Sequence, residues 1–150
     1  MYEYLLFIHV LMAVVWVGGA VTLQVMGSRL QKADDPVQMA RFAREVEWIG
    51  TRIFTPASLL ILIVGIFMVL DAWSFGDLWI VMGLAGFGYS FVNGAFFLGP
   101  TSGKTGKMIE ERGPEDAEVQ SNLEKLFLLS RIELVVLIVV IFAMTVKPTL

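Results

Sequence analysis

Residues 4–26 read YLLFIHVLMAVVWVGGAVTLQVM, an apolar stretch without a single Asp, Glu, Lys or Arg. A helix needs about 20 such residues to cross some 30 Å of hydrocarbon. The stretch is too long for a signal peptide, and Met1-Tyr2-Glu3 ahead of it carries no base, so it is expected to remain as a membrane helix. Three more blocks of the same kind follow, at about 53–70, 78–98 and 126–146. Within lipid, only a hydrogen-bond ladder inside each segment satisfies the backbone unless a barrel closes. The fold class expected is therefore all-α: one integral membrane domain, 1–150, built as a four-helix bundle. Composition agrees, since the 150 residues are 57% hydrophobic and 17% charged, against roughly 25% charged in soluble domains.

The same composition excludes several function classes. The absence of cysteine removes disulfides, thiolate metal sites and iron–sulfur clusters, and one histidine cannot build a histidine-cluster zinc site. A net charge of −3 without a basic domain argues against nucleic acid. Gly99-Pro100-Thr101-Ser102-Gly103-Lys104-Thr105 has a superficial likeness to a phosphate loop, but it has three residues between its glycines instead of four and follows a membrane helix instead of a strand. It is read as a Gly/Pro-rich turn.

Ten of the eleven Lys and Arg residues fall between spans one and two, or between span three and the start of span four; Lys147 is the exception. The positive-inside rule then makes those connections cytoplasmic and places both termini and the Asp71–Asp77 turn outside. Tyr2, Tyr4, Trp73 and Trp79 fall where an outer aromatic belt belongs, and Trp48 near the inner one. The second and fourth helices should extend into the cytoplasm. Asp35-Pro36 reads as an N-cap and first helical residue, followed by Met39, Phe42, Val46, Ile49 and Ile53 at spacings of three and four. Gly113-Pro114-Glu115-Asp116 likewise opens a helix that continues through Leu123 into span four. Pro56 should kink span two, with Thr55 or Ser58 satisfying freed backbone groups.

An ionisable side chain inside a span is costly and usually faces the bundle interior, which singles out His9. Ala13, Trp16, Ala20 and Gly27 share its face, small enough to admit another helix or a flat ligand; an interhelical hydrogen bond is the alternative use of the ring. On span three, Met82, Gly86, Tyr89 and Asn93 align. Met82 lies near the expected depth of His9, and Met12, Met68 and Met144 also fall in the outer half. Thioether with imidazole suits Cu(I), and His with Met can hold haem iron; ordinary apolar packing is the competing use of methionine. Tyr89, Asn93 and Gln24 are read as interhelical hydrogen-bonding groups more than as a conducting path. Glu47, Arg52, Arg131 and Glu133 gather at the inner boundary, and the expected pairing is Arg52 with Glu133.

With His9-Val10, Ala13-Val14-Val15-Trp16-Val17-Gly18-Gly19-Ala20, Arg52-Ile53-Phe54-Thr55-Pro56-Ala57 and Met144-Thr145-Val146-Lys147-Pro148 in place, the whole chain resembles an uncharacterised family of bacterial four-helix membrane proteins related to the copper-resistance D (CopD) domain. That resemblance implies copper handling near the outer face of a bacterial inner membrane, with His9 as candidate ligand. A more remote likeness is to the HemJ-type protoporphyrinogen oxidases, whose first helix also carries a His before a Trp-containing small-residue stretch; it implies haem or porphyrin at His9. This sequence has no Lys inside a span, where that family is expected to use one in catalysis.

The reading is thus a membrane protein binding copper, or alternatively haem b, with His9, Met12 and Met82 as metal ligands and His9, Trp16, Tyr89 and Asn93 at the cofactor; no catalytic turnover is assigned to it. The competing class is a structural or assembly subunit that docks its small-residue helices into a larger complex or a second copy of itself. The orientation is checked with single cysteines in this cysteine-free chain: Ser74→Cys should react with an impermeant maleimide in intact cells, and Glu111→Cys only after lysis. The reverse pattern would overturn it.

Overall fold

In the computed structural model, which describes residues 1–149, each apolar block is the middle of a longer helix. The helices are α1 (Tyr2–Ala33), α2 (Pro36–Ala72), α3 (Leu78–Arg112) and α4 (Ala117–Val146). All four are long and apolar enough to cross a membrane, and the described residues contain no strand. Large apolar side chains such as Phe7, Leu70 and Val135 stand exposed on the outside, as a bundle solvated by lipid requires.

The ends follow local chemistry. Asp35 caps α2 by accepting from the amides of Val37 and Gln38, both at 3.1 Å, with Pro36 just inside the helix where its missing N–H costs nothing. The Gln38 amide leads the interactions that pull the Asp35 carboxyl below its ordinary range. Asp116 caps α4 through the amides of Glu118 and Val119. Gly113, at φ 86°, turns the chain between α3 and α4 in a region that favours glycine.

Two prolines sit inside helices, and both are handled alike. Ahead of Pro56, residues Gly50–Phe54 form a π-helical turn in which the Thr55 amide reaches back to the Gly50 carbonyl, and the Thr55 hydroxyl donates to the same oxygen at 2.9 Å. Ahead of Pro100, residues Asn93–Leu98 do the same, with the Gly99 amide donating to Gly94 O. A wide turn gives the proline ring room and re-routes the bonds that it would break. The kink expected at Pro56 therefore takes this form, with Thr55 as the helper; Ser58 instead donates to Thr55 O.

The third helix departs from expectation. The supposed Gly/Pro-rich turn at Gly99–Thr105 is helical, and α3 continues to Arg112. Its glycines serve packing. Ser102 donates to Ala43 O of α2 at 2.8 Å, and a Cβ at Gly106 would stand 2.8 Å from Ala40 O. Only small residues at this face let the two backbones approach so closely.

One end of the molecule carries both termini and the α2–α3 turn: the Trp73 indole donates to the Tyr2 hydroxyl at 3.1 Å, and the Lys147 ammonium lies 3.9 Å from a Trp73 ring centroid. Beneath this aromatic end, Val69, Trp79, Ile80 and Ala143 form one core cluster. At the opposite, basic end a second cluster joins Met39, Ala40, Met108, Ile109 and Val119. In the apolar layer α1 packs along α2, and α3 packs along α4, whereas α2 and α3 close on each other mainly through their basic-end halves. A space remains between the two pairs.

Gly106→Val should therefore cost about 1–3 kcal/mol of stability through overpacking, seen as earlier thermal unfolding. Gly88→Ala, where an added methyl meets nothing within 4 Å, should change stability by no more than about 1 kcal/mol and in the favourable direction, from helix propensity alone.

Candidate functional site

That space is a cavity of about 380 Å³, reached by all four helices and extending from mid-span to the basic end. By volume it has room for about a dozen water-sized groups. Its walls are chiefly apolar and include the rings of Trp16, Phe42, Phe54, Phe91 and Phe127. Two glycines next to the proline turns, Gly50 and Gly94, also line it, and a Cβ at either would meet nothing within 4 Å. The wide turns thus present bare backbone to the open space.

The polar groups in the wall are few, and most are engaged. Ser130 on α4 donates to the Gln24 side chain on α1. Thr51 and Thr55 donate to backbone carbonyls of their own helix. Glu133, 6% exposed, accepts from Asn93 Nδ2 at 2.9 Å. It lies thirteen residues from the end of α4 at Val146, about 20 Å along the helix, so it belongs to the interior of the span and not to its boundary. Ser90, one helical turn from Asn93, is 1% exposed, and its hydroxyl lies beside the Glu133 carboxyl group without forming a hydrogen bond of good geometry.

The pairing expected between Arg52 and Glu133 does not occur. Arg52 is exposed, and among the described residues the ion pairs are Arg44–Glu110, Lys104–Glu118 and Arg112–Glu118, all at the basic end. A long side chain on the rim gains more from remaining in the aqueous layer than from following Glu133 inward.

The residues singled out from sequence go to different places. Trp16 is buried in the cavity wall, edge-on to Phe87 with centroids 6.0 Å apart. Asn93 braces Glu133 from behind. Gln24 and Asn93 both make the interhelical bonds expected of them. Tyr89 is 38% exposed and lies in an outward groove with Val92, Phe97 and Leu129, off the cavity. His9 sits on the seam between α1 and α2: its Nδ1 is 3.1 Å from Ile61 O, and a Cβ at Gly65 would lie 3.2 Å from its ring. Met12 is half-buried on α1, and Met82 packs with Met144 against the aromatic-end cluster. Among the described residues, no three His, Asp or Glu side chains converge as a metal-binding group.

Sequence reasoning did not pick out Ser90 or assign Glu133 to the interior. The signal was a pair of polar doublets, Ser90/Asn93 and Ser130/Glu133, each at three-residue spacing beside a long apolar run. Residues so spaced share a face, and apolar helices turn such faces inward.

No curated protein and no solved structure matches the chain. The model of DUF2269, a family of predicted integral membrane proteins, matches residues 3–148. With that match running almost end to end over four long apolar helices, the chain belongs to the DUF2269 family.

Proposed function

We propose that the protein is a membrane-embedded binding protein that takes a small, largely apolar molecule into the central cavity. The cavity itself carries this reading: a chiefly apolar space of about 380 Å³ walled by all four helices, with the Ser90 hydroxyl and the Glu133 carboxyl group together in its wall. A ligand with one polar group facing that pair and an apolar body filling the rest follows the usual division of labour in small-molecule sites. We place the protein in a bacterial inner membrane with its basic end cytoplasmic, in keeping with its charge distribution.

Bromobenzene, a heavy-atom quencher, tests the cavity in lipid nanodiscs. Wild-type protein should show a saturable component of tryptophan quenching that disappears in Trp16→Phe. It should also disappear in Gly94→Leu, which fills open space, while that variant melts no earlier than wild type. Non-saturable quenching alike in all three would overturn the reading.

A second reading rests on the orientation of His9. With Nδ1–H donating to Ile61 O, the lone pair of Nε2 is free for a metal, the arrangement that usually orients a ligating histidine. Met12, three residues on, can share its face, whereas Met82 is committed to the aromatic-end cluster. The imidazole thus fits as a ligand to copper, or alternatively to haem b iron, and the likeness to the copper-resistance D domain and to HemJ-type oxidases favours the same residue. Copper in stoichiometric amount, or a Soret band, that is lost in His9→Ala would support it; metal-free, colourless wild-type protein after growth with copper and haem precursor would dismiss it.

A further inference from the structure

The charge of the cavity is one-sided. Both ionisable side chains in its wall, Glu133 in mid-span and Glu47 toward the basic end, are acids, and the lining includes no Lys, Arg or His. Neither acid belongs to an ion pair among the described residues. Along α2, Arg44 lies three residues from Glu47 but is exposed and pairs with Glu110, and Arg52 is exposed, as is Arg131, the base nearest Glu133 along α4. A carboxyl group taken out of water either keeps a proton or needs an opposite charge as well as hydrogen bonds, and Asn93 supplies Glu133 with a hydrogen bond but no charge; a cation entering the cavity favours the charged form. The chain itself brings no counter-charge to this place.

The remaining walls narrow what could bring one. Five aromatic rings face the space, and ring faces attract cations through their quadrupole, best of all weakly hydrated organic ones. An anion would meet two carboxylates. A compact metal ion would have to give up its water for an apolar chamber with too few oxygens to replace it. An alkylated or aromatic ammonium suffers neither penalty, because its hydration is weak and its body is apolar.

We propose that the cavity's ligand is an organic cation with an apolar body, its charge held by Glu133 and its body by Trp16, Phe91 and Phe127. This rests on the cavity being a binding site, as argued above, and adds the class of molecule it takes.

Benzyltrimethylammonium and its uncharged isostere neopentylbenzene separate the two ideas, titrated into full-length protein in nanodiscs and read by the saturable change in Trp16 emission. The cation should bind at least about tenfold more tightly than the isostere, and Glu133→Gln, which keeps an acceptor for Asn93, should reduce cation affinity by about tenfold or more while leaving that for the isostere unchanged. Equal binding of the two compounds to wild-type protein would overturn the cation inference and leave the cavity reading standing, a comparison that needs no variant to fold. Binding of neither would overturn both.

Discussion

A helix crossing lipid must keep its backbone amides and carbonyls bonded within itself, and this protein places a proline in two of its four helices. Everything distinctive in the middle of the molecule follows from how that conflict is resolved. Each proline is preceded by a widened turn whose amide reaches five residues back, to Gly50 O in α2 and to Gly94 O in α3. The two wide turns touch one another, and both donate glycine backbone to the wall of the central space. Below them α2 and α3 close tightly through Ser102, Gly106, Ala40 and Ala43; above them the two helices belong to different pairs. The cavity lies beside these turns, walled by all four helices from mid-span to the basic end.

Much of this could be read from the amino acids, and the parts that could not share a cause. The four spans, the Asp35 and Asp116 caps and the disturbance at Pro56 are properties of one helix at a time, set by hydropathy and local hydrogen bonding. What hydropathy does not encode is the azimuth at which each face meets its neighbour. His9 and Met82 could be placed at similar depths, yet His9 turns to Ile61 on α2 while Met82 packs beneath the aromatic end. Gly99–Thr105 reads as a turn by composition, but its small residues recur at spacings that suit a helix pressed against another backbone. Tertiary packing overrides the weak local preference of glycine and proline.

Glu133 shows the same limit for charge. Its place beside Arg131 in the sequence suggests a boundary where Arg52 is the natural partner, whereas Glu133 sits near the middle of a helix that runs from Ala117 to Val146 and bonds to Asn93. The three ion pairs that do form lie between exposed side chains of the basic end, where water screens them and each contributes little. The bundle is held by close-packed small and apolar surfaces, and its buried acid, Glu133, stands outside that scheme.

The Lys147 ammonium rests over both Trp73 and Trp79, and Trp73 in turn holds Tyr2. Three segments remote in sequence are thereby tied at a single corner, so the end at which α2 and α3 belong to different helix pairs is still bound into one unit. An ammonium shared by two indoles does there what close backbone contact does at the opposite extremity.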